Sequence, residues 1–227
     1  SARDNAFARQ ITVLTLAGKP EKAVEYLTGR KFSYREGSSR VRDIIIDAHL
    51  MAGKKLMAEN KFDRALEEFV LARIPEEEAA GSRAGNRNIQ VDYFIGTAYD
   101  ALGKRTLARK SYEQSSSRDI RSSSYIKYYQ AMSLLKLGKK KEAVESFRAI
   151  IAEGEKQIGQ ATSHDMDFFA KFGTKEAENA RLSSAYLLKG LGLKGLGEMA
   201  SARAYLSKAV ELSNSNLCTL TELQDFR

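Results

Sequence analysis

Residues 93–112 decide the fold, and they read YFIGTAYDALGKRTLARKSY. Apolar residues spaced three and four apart run to Leu102, and Gly103 follows at once. After that glycine, Ala108 and Tyr112 continue the helical spacing. Glycine tolerates the left-handed backbone that ends a helix. The stretch therefore predicts two helices joined by a tight turn at Gly103.

The same arrangement occurs five times along the chain. Its turn positions are Gly18, Asn60, Gly103, Gly138 and Gly197, and each is followed by an alanine and then by Leu27, Phe69, Tyr112, Phe147 or Leu206. Upstream lie Ile11, Gly53, Gly96, Ala131 and Gly190, and then Leu14, Leu56, Tyr99, Leu134 and Leu193. We expect the first upstream set, which is mostly small, to let two helices approach closely. The second set, which is large, would fill the space between neighbouring pairs.

These positions match the tetratricopeptide repeat, in which two antiparallel helices form a unit of about 34 residues. The turns are separated by 42, 43, 35 and 59 residues, so three of the four intervals must contain insertions. Because an amphipathic helix pair cannot bury its apolar face alone, the pairs are expected to stack. We expect an all-α fold, a right-handed α-α superhelix or tetratricopeptide-like solenoid of about five irregular hairpins. It would form a single domain over residues 1–227, as a fragment of a larger protein.

Four segments depart from the repeat. We expect loops at 32–39 and at 81–88, and a short extra helix within 158–175. Residues 217–226 are apolar enough for a helix that caps the array. One of the serines at 122–124 is expected to cap the helix that starts near Tyr125.

The order of these features also resembles the C-terminal helical half of the bacterial DUF5107 family of unknown function. The resemblance lies in residues 27–37, 64–75 and 93–103, and its spacing continues through Gly138 and Gly197. It covers nearly the whole chain. The resemblance implies a β-rich domain preceding the repeats in the same polypeptide, and a carbohydrate-related role for the whole protein.

The composition gives limits on partners and compartment. Lysine and arginine number 37 against 29 acidic residues, a net charge of +8 that invites a nucleic-acid interpretation. The charges are dispersed, so a lysine-rich solvated surface is the better interpretation, and nucleic acid is not expected as a partner. Cys218 is the single cysteine, which excludes an intrachain disulfide and favours a cytoplasmic location. No run of 18 apolar residues occurs, so no membrane span is expected.

Motifs that could carry chemistry are few. Residues 190–195 read GLGLKG, but a dinucleotide loop must follow a strand, and here the flanks are helical. His49 and His164 lack neighbours at metal-ligand spacing, and Cys218 has no basic residues around it. We therefore expect no catalytic residue, cofactor or metal site, and the chain is not expected to be an enzyme.

The first helices of the pairs are expected to line a concave binding face. The residues that the repeat places on it are Lys54, Tyr93, Thr97, Tyr125, Tyr128, Met132 and Lys194. Tyrosine combines a large contact area with a polar tip and is enriched at recognition surfaces. Packing between helices is the alternative interpretation for the tyrosines. The expected function is a scaffold that binds a protein, a peptide or a domain of the same polypeptide; the alternative is an accessory helical domain of a larger carbohydrate-related enzyme.

Overall fold

A computed structural model describes residues 2–27, 39–75, 86–120, 124–162, 174–213 and 217–226. Its α-helices are α1 (Ala2–Leu16), α2 (Pro20–Leu27), α3 (Ser39–Ala58), α4 (Phe62–Leu71), α5 (Arg87–Ala101), α6 (Arg105–Ser117), α7 (Ile126–Lys136), α8 (Lys140–Thr162), α9 (Thr174–Gly195), α10 (Met199–Leu212) and α11 (Leu217–Leu223). A 3₁₀ turn, Gln224–Phe226, follows α11. Within these ranges no strand occurs, which confirms the all-α prediction for this part of the chain.

Five hairpins pair the helices α1/α2, α3/α4, α5/α6, α7/α8 and α9/α10. The residue at each turn has a positive φ: 70° at Gly18, 58° at Asn60, 71° at Gly103, 79° at Gly138 and 83° at Gly197. Among the described residues other than glycine, Asn60 is the only one with a positive φ. All five predicted turn positions are therefore confirmed.

Each turn closes with the same two hydrogen bonds. At the third turn, the Lys104 N–H donates to the Tyr99 carbonyl at 2.9 Å, and the Gly103 N–H donates to the Asp100 carbonyl at 3.0 Å. The other four turns repeat this pair of bonds. This is the Schellman arrangement, which satisfies carbonyls that the end of a helix would otherwise leave without a donor.

In three hairpins, a large side chain of the second helix packs against the small residue that lies upstream of the turn on the first helix. A Cβ placed on Gly53 would lie 2.2 Å from the Phe69 ring, and one on Gly96 would lie 2.5 Å from the Tyr112 ring. A Cβ on Gly190 would lie 2.8 Å from the Leu206 side chain. The predicted close approach is confirmed in these hairpins.

The chain forms two compact units, residues 1–118 and 119–227. In the first unit, α5 and α6 pack closely, as do α3 and α4, and α4 also packs on α5. In the second unit, the long helices α8 and α9 pack along each other, and α10 packs on α9. Each unit has its own core, with Phe69 and Ile89 fully buried in the first, and Tyr129, Phe147 and Leu191 in the second.

The contact between α8 and α9 is made backbone against backbone. A Cβ on Gly154 of α8 would lie 2.8 Å from the Ala185 carbonyl oxygen of α9. From the other side, a Cβ on Gly192 of α9 would lie 2.8 Å from the Phe147 carbonyl oxygen. Glycine is thus required at two points of one helix–helix contact.

The segments predicted to depart from the repeat have mixed outcomes. Residues 217–226 do form a terminal helix, α11, followed by the 3₁₀ turn. Ser124 does accept a hydrogen bond, from the Ile126 N–H at 3.3 Å. Of the predicted loop at 32–39, only Ser39 is described, and it begins α3. The expected extra helix falls largely outside the described residues, since 158–162 continue α8 and 174–175 begin α9.

The predicted exposed loop at 81–88 is wrong at its end. Residues 81–85 lie outside the described part, but Arg87 and Asn88 are the first residues of α5 and are buried. The Asn88 amide accepts from the Ile74 N–H at 2.9 Å and donates to the Ile74 carbonyl at 2.8 Å. These polar side chains are buried because partners elsewhere in the first unit satisfy them.

Candidate binding surfaces

Two of the predicted surface residues, Lys54 and Tyr93, lie beside one aromatic ring in the first unit, and a third, Thr97, bonds to the backbone of the same residue. The Lys54 ammonium of α3 lies 5.7 Å from the centre of the Phe94 ring. Tyr93 lies edge-on to the same ring, with the centres 5.3 Å apart, and the Thr97 hydroxyl donates to the Phe94 carbonyl at 2.7 Å. Lys54, Tyr93 and Thr97 are all partly exposed. We call these four residues the Phe94 cluster.

Phe94 itself is only 8% exposed, because its ring stacks on Phe69 with centres 5.4 Å apart. The sequence did not predict a role for Phe94, because Phe94 lies one residue away from the position that the repeat assigns to the surface. Lys54 and Tyr93 both contact the Phe94 ring. A cation above an aromatic ring is attracted by the negative face of the ring.

The predicted residues of the second unit have different surroundings. Tyr125 precedes α7 and is partly exposed, with its ring 6.5 Å from that of Tyr129, and Met132 is also partly exposed. Tyr128 is only 3% exposed, and its ring packs against Tyr129 and Phe147. The surface assignment of Tyr128 is corrected here, because helix packing, the alternative interpretation, leaves it almost no surface for a partner.

Lys194, the last predicted surface residue, is held by the C-terminal end of the chain. Its ammonium donates to Glu222 at 2.6 Å and to Asp225 at 2.7 Å, and its side chain is 10% exposed. The other carboxylate oxygen of Glu222 accepts a hydrogen bond from the Tyr129 hydroxyl at 2.9 Å. The Tyr129 hydroxyl also lies 3.8 Å from the Cys218 sulfur.

Burial and charge act on this cluster in opposite directions. Burial alone would lower the pKa of Lys194, but Glu222 and Asp225 together outweigh it and leave that pKa raised. Burial is the main cause that raises the pKa of Tyr129, with Cys218 and Glu222 adding to it. At neutral pH a cationic amine and a neutral phenol therefore both donate to the Glu222 carboxylate. The sequence did not predict the contact between Tyr129 and Glu222, because the two residues lie 93 positions apart.

The glycines at 190–195 serve packing. All three lie inside α9, and no strand precedes them in the described residues. The Leu206 side chain packs against Gly190, and the backbone of α8 packs against Gly192. A Cβ on Gly195 would lie 2.3 Å from the Phe147 ring. The motif therefore lies within a helix, as its flanking sequence predicted.

Two of the remaining candidates for chemistry, His49 and Cys218, are buried in the described part of the chain. His49 is 7% exposed, and its Nδ1 lies 2.8 Å from a Glu68 carboxylate oxygen. Cys218 is 8% exposed, and His164 lies outside the described residues. Within the described ranges, no group of three His, Cys, Asp or Glu side chains is placed to hold a metal ion. None of the described helices is both long and apolar enough to cross a membrane.

A buried polar cluster in the first unit ties the start of α5 to α3. The Arg87 guanidinium donates to Asp43 at 3.2 Å and makes a short hydrogen bond to Asp47. Burial raises the pKa of Asp47, although the charge of Arg87 acts to lower it. The cluster joins the first residue of α5 to α3, and these are the two helices that carry the Phe94 cluster.

Comparison with known proteins supports the repeat. Residues 95–158 and residues 183–216 each match a family model described as tetratricopeptide repeat. These two matches cover less than half of the chain and show tetratricopeptide repeats in those stretches, as predicted. A similar solved structure is that of YrrB, described as a TPR protein with an unusual peptide-binding site. It is 15% identical, with a TM-score of 0.33, and the match covers 96% of this chain and 90% of that one. No curated protein matches the chain in sequence.

Proposed function

We propose that the chain is a non-catalytic interaction module that binds a protein, a peptide or another domain of the same polypeptide on the first helices of its hairpins. The Phe94 cluster is the observation that carries this proposal. It places a cation, a tyrosine and a hydroxyl side by side on α3 and α5, each with part of its surface accessible. Tyrosine is among the side chains that dominate the binding energy of many protein interfaces.

The matches to the tetratricopeptide repeat support the same proposal, because stacked helix pairs create extended surfaces that such proteins use for binding. In the described residues, His49 and Cys218 are buried, and the glycines at 190–195 pack against neighbouring helices. A non-catalytic role fits these observations. The narrower resemblance to the DUF5107 family, with its carbohydrate-related role, stays a prediction.

A charge reversal in the Phe94 cluster tests the proposal. A peptide would first be selected from a displayed library against the wild-type chain. Lys54→Glu is expected to weaken its binding by about tenfold or more, since it removes the cation at the centre of the surface. Titration by fluorescence anisotropy measures the affinity.

The matched control is Arg109→Glu, which changes the net charge by the same amount. Arg109 lies on α6, and its side chain is 75% exposed. This variant should bind the selected peptide within about twofold of wild type, as expected for a residue outside the binding surface. Equal losses in both variants would indicate non-specific attraction, and no loss in Lys54→Glu would contradict the assignment of the surface.

A further inference from the structure

The last described residues of the chain, 217–226, lie across two helices of the second unit; we call them the C-terminal segment. Glu222 bonds to Tyr129 of α7 and to Lys194 of α9. Asp225 bonds to the same lysine, and the Phe226 ring lies 5.5 Å from its ammonium. α7 and α9 are the first helices of the last two hairpins. The segment therefore covers part of the face formed by first helices, where we expect binding.

This placement differs from that of one more helix added to the row. In a stacked repeat, each unit contacts only its immediate neighbours. A helix continuing the row after α10 would contact the α9/α10 hairpin and no earlier one. The C-terminal segment does pack on α10, but it also bonds to Tyr129, which belongs to the hairpin before the last. It spans the surface formed by α7 and α9.

The contact is built around one carboxylate. Glu222 is 2% exposed, and each of its two oxygens has its own donor, the Tyr129 hydroxyl and the Lys194 ammonium. A buried carboxylate is costly unless it is paired and hydrogen-bonded, so a group without charge would bind less well at this point. The two donors thus form a site that selects a carboxylate.

The covering helix is short and depends on its contacts. α11 has seven residues, fewer than an isolated helix needs to be stable in water. Its order must therefore come from the side chains that it buries: Cys218, Thr219, Thr221 and Glu222. A short helix whose order depends only on these side chains can open locally without unfolding the rest of the protein. The face of α7 and α9 can become accessible in this way.

We propose that the surface of α7 and α9 beneath the C-terminal segment binds a partner peptide that forms a short amphipathic helix with a carboxylate at the position of Glu222. The C-terminal segment occupies this surface as an internal competitor. The proposal rests on the function proposed above and specifies the partner for the second unit. A tethered segment acts at an effective concentration of about millimolar, so a partner must outcompete it or bind after its release.

The test uses the full chain and a labelled peptide of its own residues 216–227. The double variant Glu222→Gln/Asp225→Asn removes the two carboxylates that hold Lys194 and so releases the segment. The released chain is expected to bind the peptide at least about tenfold more tightly than wild type does. A control variant, Glu145→Gln/Glu211→Gln, makes the same charge change at two exposed positions of the second unit and should bind like wild type.

Selection of the carboxylate is tested by changing the peptide. A peptide carrying Glu222→Gln should bind the released chain at least about tenfold more weakly than the native peptide, since it removes the buried anion that Tyr129 and Lys194 share and leaves Lys194 with Asp225 alone. Adding Tyr129→Phe to the released chain removes one hydroxyl and keeps the ring, so the preference for the native peptide should fall by about threefold or more.

Should the double variant fail to fold, Asp225→Asn alone gives a milder release, because Asp225 is 42% exposed.

Two results would overturn the proposal: equal affinity of the released and wild-type chains for the peptide, or equal affinity of the released chain for the two peptides. Either result leaves the function proposed for the whole chain standing if Lys54→Glu still weakens its selected peptide. Loss of the Lys54 effect with retention of the peptide preference would instead reject the first surface alone.

Discussion

Gly53 and Gly159 both lie inside helices, but their surroundings differ. A Cβ on Gly53 would lie 2.2 Å from the Phe69 ring, which is fully buried and has no room to move. A Cβ on Gly159 would meet nothing within 4 Å. At the residue scale, the absence of a side chain is therefore required at one glycine and only tolerated at the other.

The two alanine substitutions should consequently have opposite effects. Gly53→Ala is expected to lower the free energy of unfolding by about 1–3 kcal/mol, because the added methyl overpacks the hairpin. Gly159→Ala should raise it by about 0.5–1 kcal/mol, since alanine restricts the unfolded chain and favours the helix. Urea unfolding followed by circular dichroism measures both. A stabilising Gly53→Ala would show that the close approach is not a packing constraint.

Between elements, the start of α5 depends on charge contacts with α3. Arg87 is 9% exposed and pairs with Asp43 and Asp47, and the Asp47 side chain is 19% exposed. Removing the cation leaves a largely buried carboxylate without its partner. The stability of this contact should therefore depend on pH.

Arg87→Met is expected to lower the free energy of unfolding by about 3 kcal/mol at neutral pH. Burial already raises the pKa of Asp47, and the loss of Arg87 raises it further. A carboxyl group whose folded pKa is raised costs stability when ionised, so the deficit should shrink as the pH falls through that pKa towards the ordinary value near 3.9. Urea unfolding at pH 7 and pH 5 measures the change.

Arg109→Met serves as the control for this prediction, because its side chain is 75% exposed. Its stability should stay within about 0.5 kcal/mol of wild type at both pH values. A deficit of Arg87→Met that grows on acidification would show that Asp47 is not the group responsible.

The same elements show what the sequence could predict. The five turns were predictable because a Schellman turn is local and leaves a glycine or asparagine at a fixed distance from its apolar neighbours. The burial of Arg87 was not, because its partner Asp43 lies 44 residues earlier and no spacing rule connects them. Lys194 was correctly placed on a first helix, but its partner Glu222 lies on a segment that the repeat pattern does not describe.

At the scale of the whole molecule, several basic side chains lie beside acidic ones in local pairs. Lys55 pairs with Glu21, Arg109 with Glu113 and Lys189 with Glu155. Pairs at the surface weaken the field that would attract a polyanion. The net charge of +8 is therefore not expected to define a nucleic-acid surface.

The full chain is accordingly expected to bind a 20-base-pair DNA duplex only weakly, with a Kd no tighter than about 1 μM at 150 mM salt. Any retention at 50 mM salt should disappear by about 200 mM, because contacts to phosphate are displaced by salt ions. Fluorescence anisotropy of a labelled duplex checks this. Submicromolar affinity at the higher salt would reopen the nucleic-acid interpretation.

The glycines at the contact between α8 and α9 set the alignment of the two longest helices. Sliding either helix by one turn would bring a side chain onto the backbone of the other at Gly154 or at Gly192, so the alignment is encoded in the helices themselves. The connection that joins them does not have to define it. A change in the length of that connection is therefore expected to leave the contact between α8 and α9 unchanged.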